Sequence, residues 1–490
     1  MHHRIDTILK RLRQDVARRL DPESIRSACR QAGHGWRNCI LNPVAIVHWF
    51  VIQVLYGNTS LEHIARLGGG LFTGPAYCLA RALLPPAVFQ IVLHDVVKAL
   101  IPDTQAEGLW RGHRTFLVDG SAFSMPDTPE LQKQFGQPGA QATGCGFPVA
   151  KILALFHAGT GVLLKVMVAP LRSHEMASVG GVHPALGPGD VLVGDRGLCS
   201  FAHLAMLTRD GIQAVFRMHQ RQIVDFTPNR PHALPGAKRA AKGLPRSRWL
   251  RGLGVLDQVV EWFKPEDRPE WMTAEEYEAL PGTLTVRELR YEVGRPGFRT
   301  RTVTLVTTLL DADAYPLDAL AELYGARWRV ELNLRHLKIT MKMDVLKCRT
   351  VEGVLKELTV YAIVYNLVRV VMVEAARRQG VDVERVSFVD ALRWLAQAKP
   401  GDELPELVVN PERPGRYKPR VRKRRPKQYP LMTQPRSVLR KGLLTQGVRG
   451  YPEYNCWLVT IYVLFAMADA IDFPLFFRGI PLGSTPANMA

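Results

Sequence analysis

Apolar runs, and the glycines and prolines between them, divide the chain into a helical stretch followed by strand-bearing ones. Residues 1–100 read helical. Val44 to Tyr56 is a mostly apolar stretch of helical length, ended by Gly57-Asn58, and Thr59 or Ser60 then caps a short helix through Leu67. Gly68, Gly69 and Gly70 form a turn, and a second short helix from about Gly74 to Leu84 stops at Pro85-Pro86. Helix, glycine turn, helix is compatible with a helix-turn-helix; a plain helical bundle explains it equally well.

From 113 to 220 the pattern changes. FLVDGS (116–121), KILALFHAGT (151–160) and VLLKVMVAP (162–170) read as strands, with a hairpin turn at Gly159 to Gly161. A helical piece from about Ser173 to Ala185, the strand VLVGDRG (191–197), a helix from Ser200 to Asp210 and the strand QAVFRMH (213–219) follow. Three strands, helix, strand, helix, strand is the order of a ribonuclease-H-like sheet, so the predicted class is α/β. Residues 221–298 interrupt it. A stretch rich in proline, glycine and basic residues precedes the strand-like GVLDQVVEWF and LTVRELRYEV, predicting a β-rich insertion. TRTVTLVTTL (300–309) returns as a strand, and helices follow from Pro316 to about Arg378.

Composition narrows the function classes. With 47% hydrophobic residues the chain can bury a sizeable core, which excludes general disorder. The seven cysteines are scattered with no C-x-x-C pair, against a zinc ribbon and against a disulfide scaffold, and they predict a reducing compartment. The first fifteen residues lack the apolar segment of a signal peptide, and the apolar stretch Cys456 to Ala468 is too short to span a bilayer, so no membrane association is predicted. The net charge is +19. Twelve basic residues and no acid lie between Arg413 and Lys441, among them Arg422, Lys423, Arg424 and Arg425; without them the balance is +7. Five prolines and two tyrosines are interleaved. The segment reads as an extended arm that neutralises nucleic-acid phosphates, against the plainer alternative of a solvated tail.

Candidate chemistry centres on Glu331. Tyr324, Arg327, Glu331 and Lys338 stand at offsets 0, 3, 7 and 14, which at 100° per residue fall on one 60° arc of a helix. A carboxylate flanked by two cations and a phenol is poor core material; it suits a metal ion beside a phosphate backbone. A solvated face with Arg327–Glu331 as an ordinary i,i+4 pair gives the same arc. Asp119 and Asp195 each lie at the predicted end of an apolar strand and close to a glycine, where open α/β sheets place their sites. Two such aspartates and a helix glutamate make an oxygen donor set for two Mg²⁺ ions. Asp127, Asp190 and Glu175 are nearby rivals, better suited to capping.

The four-residue pattern Y-x2-R-x3-E-x6-K, complete in Tyr324, Arg327, Glu331 and Lys338, resembles the signature of bacterial insertion-sequence transposases of the DDE class, insertion-sequence-4 family. The VDGS and GDRG blocks resemble that family's first and second aspartate motifs, and the 136 residues from Asp195 to Glu331 match its β-rich insertion. The resemblance covers roughly 110–375. It implies cut-and-paste transposition: Asp119, Asp195 and Glu331 as catalytic metal ligands for Mg²⁺, with Mn²⁺ able to substitute, and Tyr324, Arg327 and Lys338 on the DNA backbone. It further implies terminal inverted repeats and target DNA as substrates and a homodimer pairing two ends in a synaptic complex, in the cytoplasm at the nucleoid. Some relatives stack a flipped base on a tryptophan near the strand before the third motif; the position here is about Val303, with Trp262 and Trp271 upstream as substitutes or as core residues.

The organisation expected is therefore a helical DNA-binding domain at 1–105, a ribonuclease-H-like core at 110–220 and 299–380 split by an insertion at 221–298, a helical and basic arm at 381–442, and an apolar tail at 443–490. A transposase-derived DNA-binding protein without cleavage, or a related nuclease of the same fold, are the alternatives.

Overall fold

The computed structural model describes residues 5–230, 243–293, 302–411 and 432–445. Among the described residues nine strands form one sheet: β1 (Thr115–Ser124), β2 (Val149–His157), β3 (Leu163–Pro170), β4 (Val191–Gly194), β5 (Gln213–Arg217), β6 (Arg246–Gly254), β7 (Asp257–Phe263), β8 (Thr283–Glu292) and β9 (Thr302–Thr307). Their lateral order is β3-β2-β1-β4-β5-β9-β8-β7-β6. The architecture is mixed α/β with a large sheet. β1, β4 and β5 are parallel, and every other pairing is antiparallel. Phe116, Leu117 and Val118, and Val191 to Val193, are buried, as central strands covered on both faces require.

The insertion is continuous with this sheet. β8 pairs with β9, and β7 and β6 extend the sheet beyond it. Arg287 and Asp257 form a doubly hydrogen-bonded buried pair in these strands, and Glu288 accepts from Trp262 Nε1 at 2.8 Å. β6, with its charged alternation, lies where the sequence reads as irregular.

One face of the sheet is covered by helices that share a single hydrophobic core from Ile5 to Leu407. The N-terminal helices Pro43–Leu55 and Pro86–Ala106 pack with Val351–Gln379 in this core. The caps fall where side-chain chemistry predicts: Ser60 accepts from the His63 amide, and Thr73 from the Ala76 amide. Val351–Gln379 is, among the described residues, the single unbent helix long and apolar enough to cross a membrane, and 89% of its most apolar window is buried inside the protein. Gly161 closes the β2–β3 hairpin at φ +68° against the buried Arg369 guanidinium, which leaves no room for a side chain.

The opposite face packs against Phe201–Arg209 and two short 3₁₀ turns, Glu175–Gly181 and His183–Ala185, where the sequence predicts one helical piece. A second, smaller unit comprises 141–145 and the chain from 427 onward; its described part includes the helix Arg436–Thr445.

Candidate active site

Alternation along β1 aims Leu117 and Asp119 to the face bearing the Val351–Gln379 helix, and alternation along β4 aims Val191, Val193 and then Asp195 the same way. β1 and β4 pair only from Thr115 to Leu117, because β4 ends at Gly194. Beyond that point β1 has no parallel neighbour, and both aspartates lie beside the opening past the carboxyl end of β4. Asp119 is mid-strand: β1 continues through Gly120 to Ser124 paired with β2, so the expected strand end at Gly120 is corrected. The antiparallel partner supplies the hydrogen bonds that hold β1 extended past its parallel neighbour. Asp195 does lie just past its strand. Its Oδ1 accepts from the Gly197 amide at 2.8 Å, which fixes the carboxylate in the following turn.

The expected single helix through Tyr324, Arg327, Glu331 and Lys338 is three segments. Leu317–Ala326 and Trp328–Arg335 meet at Arg327, where the Arg327 amide bonds Tyr324 O and the Val330 amide bonds Arg327 O, a tightened i→i+3 turn. His336–Thr340 then widens into a π turn. Uniform 100° steps therefore do not hold. Tyr324, Arg327 and Glu331 stay at the site, whereas Lys338 lies half-buried on the π turn with no ion pair among the described residues.

Arg327 joins the carboxylates. Its Nη1 donates to Asp119 Oδ2 at 3.3 Å and its Nη2 to Glu331 Oε1 at 3.1 Å. The guanidinium lies 5.9 Å from the Tyr324 ring centroid and 5.4 Å from that of Trp328. Burial pushes the Asp119 carboxyl up to about 6; Arg327 and the Gly120 amide pull it down, and the charges of Asp195 and Glu331 push it up again. Those last two influences bring all three acids into one electrostatic neighbourhood. Burial likewise raises the Tyr324 hydroxyl, with Arg327 and Arg217 opposing and Asp195 adding.

Among the described residues no three His, Cys, Asp or Glu side chains converge as a ready metal cage. The donor chemistry nonetheless fits a hard divalent cation: three carboxylates, oxygen only, with a guanidinium standing where positive charge is required between two of them.

The rivals have other work. Asp190 is locked by Arg114 at 2.6 and 2.8 Å, Asp127 accepts from Gln132, and Glu175 lies against Gly120, whose direction is opposite to that of Asp119 on the strand. Trp262 is 1% exposed in the insertion core, unable to stack a base, and Trp271 packs partly against the same core. Arg422, Lys423, Arg424 and Arg425, and the tail from 446, lie outside the described residues.

Arg217 is a candidate site residue that the sequence pattern alone does not single out. It ends β5, on the same face as Asp119 and Asp195, close enough to act on Tyr291 and Tyr324, and among the described residues it has no acidic partner. The available signal is the alternation Gln213-Val215-Arg217, which places a cation at the carboxyl end of a core strand.

The family described as transposase DDE domain matches residues 110–367, more than half of the chain. The transposase InsG of insertion sequence element IS4, from Escherichia coli K12, is 25% identical over 342 residues, covering 66% of this chain and 70% of that protein. InsZ of the same strain, also named for a transposase, is 21% identical over 257 residues, 51% of this chain and 81% of that one. A solved piggyBac transposase synaptic complex with hairpin DNA aligns over 81% of this chain and 80% of that one at 9% identity, with a TM-score of 0.38, too low to support an argument.

Proposed function

The chain belongs to the DDE-domain transposase family, and from that premise we propose that Asp119, Asp195 and Glu331 are the metal-holding carboxylates with which it cuts transposon ends and joins them to target DNA. It is a DNA transposase, an enzyme of a family that uses divalent metal ions. The observation that carries the residue assignment is the meeting of Asp119 and Glu331 on one guanidinium, with Asp195 near enough to raise the Asp119 carboxyl.

The strand order β3-β2-β1-β4-β5, with β1, β4 and β5 parallel, supports a ribonuclease-H-like core for this part of the sheet. Two Mg²⁺ ions, with Mn²⁺ as substitute, would be held by the three carboxylates and would supply charge stabilisation at the attacking and leaving oxygens. The chain's own residues do the rest. Arg327 and Arg217 present guanidiniums to non-bridging phosphate oxygens, and Tyr324, beside Arg327, limits where the backbone can lie. Lys338 reaches the strand from the π turn. Cleavage is an in-line displacement in which water attacks phosphorus and a 3′-hydroxyl leaves; in joining, that 3′-hydroxyl attacks a target phosphate, breaking its bond to the target strand's 3′-oxygen, which leaves as a new 3′-hydroxyl. Terminal inverted repeats are the substrates, paired by a homodimer, with the N-terminal helices and the 413–441 arm gripping the duplex. The presence of all three acids at one opening favours cleavage over binding alone.

The test is a DNA carrying both ends of the element, incubated with the full-length protein. Cleavage and joined products should form in Mg²⁺ or Mn²⁺ and be absent in EDTA, and Asp119→Asn, Asp195→Asn and Glu331→Gln should each bind the DNA but leave it intact. Cleavage without joining would favour a nuclease instead.

A further inference from the structure

Arginine–carboxylate contacts in this protein differ in how tightly they hold, and even Arg377, which divides its bonds between two carboxylates, makes them at 2.5 and 2.7 Å. Arg114 grips Asp190 with two bonds at 2.6 and 2.8 Å, and Arg287 grips Asp257 with two bonds at 2.5 and 2.8 Å. Both are locked, two-pronged pairs on a single carboxylate. Arg327 is different. It gives one bond to each of two carboxylates, at 3.3 and 3.1 Å, both longer than a charge-assisted bond prefers. Its buried Nε has no hydrogen-bond partner, although the side chain is only 12% exposed. The guanidinium is therefore loosely held and one donor short.

Asp119 and Glu331 repel one another and can stay adjacent only with positive charge between them. In the DNA-free protein that charge is Arg327. A divalent ion would need the same Asp119 and Glu331 oxygens, so guanidinium and metal compete for them. A DNA phosphate offers Arg327 what the carboxylates do not: two oxygens on one centre, matched to a two-pronged fork, with a further oxygen for Nε.

Resting on the carboxylate assignment above, we propose that Arg327 is an interlock: it occupies the metal-holding carboxylates until a DNA phosphate draws it away, so that metal loading is coupled to arrival of the strand. The consequence is reciprocal. DNA raises the protein's affinity for metal, and metal raises its affinity for DNA, by the same factor.

The test reads metal binding in the absence of any reaction. Full-length protein is titrated with Mn²⁺, free ion being followed by electron paramagnetic resonance, without DNA and then with a short duplex, the ions bound by the duplex alone being subtracted. Removing a cation from direct contact with the ligands should tighten binding by about tenfold or more, so Arg327→Gln should bind Mn²⁺ at least tenfold more tightly than wild type without DNA. Arg327→Lys, which keeps the charge, should stay within a few-fold of wild type. The duplex should tighten Mn²⁺ binding by wild type about tenfold and leave Arg327→Gln nearly unchanged. Equal or weaker binding by Arg327→Gln, or a duplex without effect on wild type, would overturn the interlock; the second measurement needs no variant and holds even if Arg327→Gln folds poorly. Adding Asp119→Asn to Arg327→Gln separates the two readings. Loss of the tight site upholds the carboxylate assignment whatever Arg327 does, and its survival would show that the metal binds elsewhere.

Discussion

At the residue scale the site is a balance of clustered like charges, half-buried at Asp119 and exposed at Glu331, against few cations. Asp119 carries the clearest strain, its carboxyl raised to about 6 because burial and two neighbouring acids outweigh Arg327. Neither Arg217 at the end of β5 nor Lys338 on the π turn has an acidic partner among the described residues, so their charge is available to a phosphate. Replacing either by alanine should remove one charge-assisted contact, about 1.5–3 kcal/mol, or roughly ten- to a hundredfold in cleavage rate. Rates measured at saturating DNA against metal concentration should keep the wild-type metal dependence. The identity of these residues was legible unevenly. Asp119, Asp195, Tyr324, Arg327 and Glu331 are legible because the complete Y-x2-R-x3-E-x6-K pattern occurs together with both aspartate blocks, whereas Arg217 differs from any surface arginine only through the strands beside it.

At the element scale the sequence reads the type of most segments and misses how they are joined. Uniform helical steps put Tyr324, Arg327, Glu331 and Lys338 on one stripe, yet the tightened turn at Arg327 and the π turn at 336–340 are cooperative backbone choices that no side-chain pattern announces. The insertion reads as a separate β-rich piece because pairing between β8 and β9 is a long-range event. Its stability depends on a buried ion pair. Arg287→Ala would leave Asp257 charged and unpaired in the sheet, and denaturant unfolding should show a loss of about 3–5 kcal/mol.

Three histidines at element ends give the fold an acid limit. Burial, aided by Arg114 and Arg369, lowers His157 to about 4; burial, with Arg369, lowers His336 to about 4; burial, with His183, lowers His203 to about 3. Each folded value lies below the ordinary 6.5, so the folded state favours neutral rings. The stability they contribute is present above about 6.5 and is lost as pH falls toward about 4. The melting temperature should decline steadily across that window. His336→Phe, which keeps the stack on Phe388 at 4.2 Å, should flatten the decline; an unchanged slope would remove His336 from the explanation.

At the scale of the whole molecule, the N-terminal helices and the strand-bearing core share one hydrophobic interior, so the helical stretch is fused to the catalytic part through Val351–Gln379. Composition forecast a large core but could not say that 1–105 would contribute to it, because an apolar helix such as Val44 to Tyr56 does not name its neighbour. The charge distribution belongs to this scale too. Converting Arg422, Lys423, Arg424 and Arg425 to glutamine should weaken DNA binding across all sequences and reduce the slope of log affinity against log salt by up to about 3.6, at about 0.9 for each phosphate no longer neutralised. Filter binding between about 50 and 200 mM salt reads this directly, and an unaltered slope would leave those four cations without a part in DNA binding.

The central claim is that three particular carboxylates hold the ions that cut DNA, and exchanging oxygen for sulfur tests it most directly. Thiolate suits a hard cation poorly and is better tolerated by softer Mn²⁺. Asp119→Cys, Asp195→Cys and Glu331→Cys should each be inactive on end-bearing DNA in Mg²⁺, and cleavage should return in part in Mn²⁺. Wild-type activity of any one variant in Mg²⁺, or failure of Mn²⁺ to restore activity at every one of the three positions, would contradict the assignment.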